Sequence, residues 1–281
     1  TGSGKTKLSL KLAKEWDGEI ISVDSRQIYQ GLNICTGKIT TEEMEGIPHF
    51  GLDLISPDQV YNAALFRDYA REKITQIQSR GKSVIICGGT GLYIDALIYD
   101  LDVPAFESNL EYQATLETFR QEHGNMALWE KLEAIDPEYA KDIHPNSYPY
   151  VMRGLEIKER TGISKKAYRA ERTLVYHLQA TTPYQDSPEN RKVLYANIHL
   201  RIDQMIQSGL IEEVQSLLKQ DYTSHSPGLN TIGYAEICHA FAGEYSIDRA
   251  IELIKQGNRN YAKRQITWCK KYTNLPHISM R

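Results

Sequence analysis

The sequence predicts an α/β protein. Its core is a parallel sheet with helices on both faces, carrying a mainly helical insertion and closed by C-terminal helices. Three observations predict this. Helical and strand patterns alternate over roughly the first hundred residues, the local charge reverses sign beyond them, and only helical patterns follow about residue 190. At 281 residues the chain exceeds the usual domain size of roughly 100–150 residues. The expected organisation is therefore a core of residues 1–104 and 183–281 with an insertion at 105–182.

Lys5 to Trp16 sets Leu8, Leu10, Leu12 and Ala13 on one buried face and Lys7, Lys11 and Lys14 outside, which predicts a helix. Glu19-Ile-Ile-Ser-Val-Asp24 is a β-branched run ending in an acid, and predicts a strand. Thr40-Thr-Glu-Glu43 has capping-box spacing, so a helix is expected to start there and to be limited by Pro48. Ala63 to Arg80 predicts a long helix stopped by Gly81. Ser83-Val-Ile-Ile-Cys87 reads as a buried strand running into Gly88-Gly-Thr-Gly91.

From residue 101 the character changes. Residues 100–142 hold eleven acids against three Lys/Arg, with Ser108-x-x-Glu111 and Asp136-Pro137 as helix starts. Residues 151–172 reverse the sign, with seven Lys/Arg against three acids, so the insertion is expected to carry one basic side. Leu174 to Thr181 reads as a returning strand. Helices follow at about 190–208, 210–220, 232–243 and from Ser246 to about Tyr272; Lys255 to Arg281 contains seven Lys/Arg and no acid.

Composition excludes several classes. An apolar fraction of 41% and a charged fraction of 25% fit neither a disordered nor a fibrous chain. Aliphatic runs such as Val84 to Cys87 fall far below the roughly 20 residues a bilayer requires, so no membrane partner is expected. With no leader pattern, and with Cys35, Cys87, Cys238 and Cys269 lacking C-x-x-C spacing, a cytoplasmic protein with reduced thiols is expected. The net charge of −3 argues against a uniformly basic nucleic-acid coat while leaving room for a local basic face.

Thr1-Gly-Ser-Gly-Lys-Thr6 is the right-hand end of a phosphate-binding loop, G-x-x-x-x-G-K-[ST], so the core is expected to be P-loop NTPase-like. The full pattern places its first glycine two residues before Thr1, and the numbering is expected to begin inside the motif. Gly2 and Gly4 let backbone N–H groups converge on phosphate oxygens, Lys5 adds a point charge, and the Thr6 hydroxyl is the usual Mg²⁺ ligand. Such a loop specifies only a nucleotide or polyphosphate. Asp24 ends a strand, and ligands gather beyond the carboxyl ends of parallel strands, so its carboxylate is expected to face the loop's ligand. Gly88-Gly-Thr-Gly-Leu-Tyr93 repeats the arrangement, bringing the Thr90 hydroxyl to the same rim.

These pieces occur in order with Ile47-Pro-His49, Thr231-Ile-Gly-Tyr234 and Tyr261-Ala-Lys-Arg-Gln-Ile-Thr-Trp268. Together they closely resemble the tRNA dimethylallyltransferases (tRNA isopentenyltransferases), over nearly the whole chain. The resemblance implies transfer of the dimethylallyl group of dimethylallyl diphosphate to the N6 amine of the adenine 3′ to the anticodon. It implies Asp24 as general base, with Thr90 beside the same amine and Ser25, Arg26 and Gln27 lining the base pocket. Thr1, Gly2, Ser3, Gly4, Lys5 and Thr6 would bind diphosphate with Mg²⁺, and Arg201 matches a position that approaches it; its other reading is a surface ion pair. Arg153, Lys263 and Arg264 stand among the basic residues expected to contact the tRNA anticodon stem-loop, the alternative for each being a solvated helix face. Trp268 and Tyr261, seven apart on one helical face, read as core rather than as stacking platforms. A monomer of the bacterial type is expected, since the zinc-finger cysteines of some eukaryotic members do not occur here.

Two departures from the family pattern bear on RNA contacts. Tyr150 stands where an arginine is common, and Ala105 to Gln113 offers no arginine. Two other readings of the loop are an adenylate isopentenyltransferase acting on AMP, ADP or ATP and a small-molecule kinase. The long insertion disfavours both, because a free nucleotide needs no such reach.

Overall fold

β1 (Gly18–Val23) is buried at every residue because it is the middle strand of a parallel sheet ordered β2–β1–β3. β2 is His49–Phe50 and β3 is Ser83–Gly88. This is seen in a computed structural model that describes residues 2–99, 109–167, 174–176, 179–182, 184–272 and 275–276. Ile20 and Ile85 pair in register and pack with Leu12 and Ala13 of α1 (Lys5–Glu15), while Ile21 and Val23, alternating to the other face, are equally buried. β3 is the last strand of the described sheet, and within it Ile85 is buried while the other residues, expected to be continuously buried, are partly exposed.

Parallel pairing brings Val23 and Gly88 side by side. Gly89 and Thr90 both donate their backbone N–H to the Val23 carbonyl, at 3.1 and 3.2 Å. Asp24 and Thr90 therefore leave the sheet together at its carboxyl end. α2 (Ala63–Ser79) buries Phe66, Ala70, Ile74 and Ile77, and stops where Gly81 turns to φ +72°. α3 (Gly91–Ile98) follows the glycine turn, with Tyr93 stacked on Phe66 at 4.7 Å.

The capping-box spacing at Thr40 is satisfied without a helix. Glu43 N–H reaches the Thr40 hydroxyl at 3.2 Å and the Thr40 N–H reaches the Glu43 carboxylate at 2.9 Å, yet the segment is only turns. Glu45 at φ +52° and Gly46 at φ +79° break the helical path before Pro48 does.

The chain divides into two compact units. The second comprises 62–65 and 98–175, against the expected insertion at 105–182. Within it, α4 (Leu110–Ile135), α5 (Pro137–Ala140) and α6 (Tyr148–Thr161) enclose Leu116, Leu128, Leu132, Tyr139, Val151 and Leu155. α4 begins on Asn109, whose side chain accepts the Tyr112 N–H, one residue beyond the expected Ser108, which lies outside the described residues. It is also two rods, joined at Gly124, whose positive φ is non-helical and suits glycine (φ 88°, ψ 170°). Asp136 and Pro137 start α5 as predicted. Of the returning strand expected over 174–181, the described residues place Leu174 in an antiparallel bridge with Tyr99, and 177–178 lie outside the described residues.

The first unit comprises 1–61, 66–97 and 176–281. Besides the sheet it holds α7 (Pro188–Gln207), α8 (Leu210–Leu218), α9 (Tyr234–Phe241) and α10 (Ile247–Cys269), the last extended by a 3₁₀ turn at Lys270–Tyr272. Serine caps open two of them: Ser187 accepts from Asn190 and Ser246 from Arg249. Their apolar faces meet around Ile28, Leu32, Ile198, Ile202, Leu210 and Tyr234. No helix among the described residues is long and apolar enough to cross a membrane.

Candidate active site

Two cavities open beyond the carboxyl end of the sheet. The first, about 340 Å³, is lined by Gly2, Ser3, Gly4, Lys5 and Thr6, by Asp24 and Gln27, and by Arg201 from α7. Gly2 and Gly4 sit at φ +67° and +82°, the left-handed turn that delivers the chain into α1 and turns backbone donors toward the cavity. The second, about 530 Å³, is lined by Asp24, Ser25, Arg26, Thr90, Asn230, Thr231, Tyr261, Arg264 and Trp268, among others. Asp24, Cys35, Thr36, Gly89, Asn258 and Gln265 line both, so these residues form the waist.

Asp24 is held by its own turn. Its Oδ1 accepts the Arg26 N–H at 2.9 Å, and Oδ2 has no hydrogen-bond partner among the described residues. The Arg26 guanidinium is tied to the Pro227 carbonyl at 3.2 Å. Thr90 Oγ1 accepts the Ser25 N–H at 2.9 Å and lies 3.3 Å from the Ser25 hydroxyl, which fixes the two strand ends to one another. Gln27 faces the loop-side cavity, its amide donating to the Thr36 and Gly37 carbonyls at 3.1 and 3.2 Å and accepting from Ser22 at 2.8 Å. Arg201 lies against Gly37 so closely that a Cβ there would fall 1.8 Å from its Nη2.

The glycines after β3 are used for packing against protein. A Cβ on Gly88 would meet the Val23 carbonyl oxygen at 2.1 Å, one on Gly89 would meet the Gln265 amide at 1.9 Å, and one on Gly91 would meet the Trp268 ring at 2.3 Å. α10 thus seats on this turn, with Gln265 Nε2 donating to the Gly89 carbonyl at 3.1 Å. Buried Asp95 accepts from Tyr272 at 2.7 Å and from Trp268 Nε1 at 3.4 Å, locking the end of the helical stretch. Tyr261 and Trp268, expected in the core, are half-buried walls of the wider cavity. Burial, and then the Asp24 carboxylate, push the Tyr261 hydroxyl pKa up.

The other expected site residues are spread more widely. Thr1 lies outside the described residues. Lys263 is exposed on α10 and lines neither cavity, while Arg264 lines the wider one with its guanidinium 5.6 Å from the Tyr261 ring centroid. Arg153 belongs to the second unit, where it bonds buried Glu156 at 2.6 Å. Sequence reasoning missed Thr36, Gly37, Asn258 and Gln265. The signal for Gln265 was its place on one helical face with Tyr261 and Trp268; the turn at 36–37 has no comparable signature.

A loop of backbone donors and a lysine on one side, and a carboxylate shared with a second cavity, make the arrangement of a group-transfer site. Comparison with known proteins gives the particular kind. The chain belongs to the IPP transferase family, whose model matches residues 27–272. It is 43% identical to a tRNA dimethylallyltransferase of Thermoanaerobacter sp. (strain X514), over 97% of this chain and 87% of that protein. Identity to the tRNA dimethylallyltransferase of Bacillus pumilus (strain SAFR-032) is also 43%, over 100% and 87%. Among solved structures it is similar to the full-length tRNA isopentenylpyrophosphate transferase of Bacillus halodurans, with TM-score 0.69 and 37% identity over 99% of this chain and 86% of that one. A eukaryotic dimethylallyltransferase acting on tRNA gives TM-score 0.77 and 28% identity, over 96% and 67%.

Proposed function

We propose that this chain transfers the dimethylallyl group of dimethylallyl diphosphate to the N6 amine of the adenine 3′ to the anticodon in tRNA. The observation that carries the reading is the pair of cavities meeting at Asp24. The cavity of Gly2, Ser3, Gly4, Lys5, Thr6 and Arg201 suits a diphosphate, and the wider one, with its aromatic and amide groups, suits an unstacked base. The core is P-loop NTPase-like in the sense that the turn of Gly2 and Gly4 feeds α1 at the sheet edge.

In the reaction the adenine N6 attacks C1 of the dimethylallyl group as the C1–O bond to diphosphate breaks. The N6 proton passes to the Asp24 carboxylate, which the Arg26 N–H holds in place. The N6 lone pair is delocalised into the ring, so removing its proton during attack makes the amine a competent nucleophile. Thr90, pinned by Ser25, offers a hydroxyl at the same rim, and Arg26 and Gln27 hold the walls. Lys5, Arg201 and the loop N–H groups balance the charge that grows on the leaving diphosphate. The hydroxyls of Ser3 and Thr6 put hard oxygen donors on this cavity, which fit magnesium beside a diphosphate. The Thr6 hydroxyl would hold Mg²⁺, which would supply further charge stabilisation to the leaving group.

Arg153, Lys263 and Arg264 are proposed to meet RNA phosphates, and the protein to act as a monomer in the cytoplasm, where tRNA is modified. The test is labelled dimethylallyl diphosphate with Mg²⁺ and unmodified tRNA carrying adenine beside the anticodon. Label in tRNA is the expected result. Equal transfer to AMP would replace tRNA by a free nucleotide, and ATP turnover without prenyl transfer would make the chain a kinase.

A further inference from the structure

Glu213 on α8 stands outside both cavities, yet its carboxylate gathers three donors from elsewhere in the unit. It accepts the backbone N–H of Asn33 at 3.2 Å, that of Ile34 at 3.1 Å, and the hydroxyl of Tyr234. Tyr234 is fully buried at the start of α9. The turn before it butts against the same segment: Gly233 is at φ +101°, a Cβ on it would strike Cys35 Sγ at 1.9 Å, and Cys35 donates to the Ile232 carbonyl at 3.4 Å. This accounts for Ile232-Gly-Tyr234, while Thr231 before it lines the wider cavity.

The segment so held is the waist of the site. Cys35 and Thr36 line both cavities, and Gly37 is the surface on which the Arg201 guanidinium rests. Gln27 grips its carbonyls from one side and Glu213 its N–H groups from the other. We propose that Glu213, with Tyr234, is a positioning residue for the leaving group: it fixes the 33–37 segment at the height that aims Arg201 into the diphosphate cavity. A bare carboxylate suits this task because one group accepts three donors converging from two directions.

The inference rests on the prenyl-transfer reading and makes a separate prediction. In the full chain with Mg²⁺, Glu213→Gln and Tyr234→Phe should each weaken binding of inorganic diphosphate by calorimetry and raise KM for dimethylallyl diphosphate, Glu213→Gln by about tenfold. KM for tRNA should change less than about twofold. The decisive measurement is a double-mutant cycle: in an Arg201→Ala background Glu213→Gln should cost little more, because its effect passes through Arg201. Additive losses, or equal rises in both KM values, would overturn the proposal. If Glu213→Gln fails to fold, Tyr234→Phe, which leaves the carboxylate on the two N–H groups, completes the same cycle. Absence of tRNA prenylation by the parent protein would sink the functional reading instead, and the diphosphate-binding cycle would still decide this one.

Discussion

The indole of Trp268 lies against the backbone of Gly91, so that a Cβ on the glycine would meet three ring atoms at 2.3–2.4 Å. Their sequence separation is large, and the contact seats α10 on the turn that carries Thr90. Gly91→Ala should therefore unseat the helix rather than strain the turn, since Gly91 has an ordinary φ. The expected cost is about 1–3 kcal/mol, read as a lower midpoint in denaturant with unchanged slope, together with loss of transfer activity.

Asp24→Asn keeps the volume of the side chain and removes the proposed base. Diphosphate binding should persist while kcat falls by about 10²–10⁴-fold. Pre-steady-state transfer in a single turnover checks this, and near-normal turnover would remove Asp24 as the proton acceptor.

Gly37→Ala should act through Arg201. The new methyl would occupy the place of its Nη2, and the glycine is at φ +58°, which other residues rarely adopt. KM for dimethylallyl diphosphate should rise by about tenfold or more while affinity for tRNA holds.

Glu156 makes the second unit sensitive to acid. Burial draws its carboxyl upward, but the Asn109 N–H, the Arg153 guanidinium and the Gln113 amide outweigh that and hold its pKa below the ordinary value of 4.5. A depressed pKa contributes stability that is fully present above about pH 4.5 and is lost as pH falls through the lower, folded-state value. Helical circular dichroism should show acid unfolding that Glu156→Gln shifts toward neutral pH, with the variant already less stable at pH 7.

Strand β1 and the helices were legible because their signals are local: a run rich in β-branched residues and apolar residues at helical spacing. Thr40 to Glu43 misled for a physical reason. A capping box specifies reciprocal bonds, and those bonds form here without any helix to cap. The loop and Asp24 could be read because their chemistry is carried by residue type. The waist could not, since Thr36 and Gly37 contribute backbone and absence of side chain, and what they touch comes from Gln27, Arg201 and Glu213 in distant segments. The glycines of Gly88 to Gly91 were noticed, but their partners Gln265 and Trp268 appear only when α10 is folded onto them.

One sulfur at that waist bears on chemoselectivity. An allylic diphosphate is an alkylating agent, and a thiolate is a better nucleophile than an aromatic amine. Cys35 lines both cavities, yet burial and the neighbouring Glu236 and Glu213 carboxylates push its thiol up to about 12. Burial first, and then the Glu236 and Glu213 carboxylates, thus disfavour the thiolate, the form that an allylic diphosphate would alkylate.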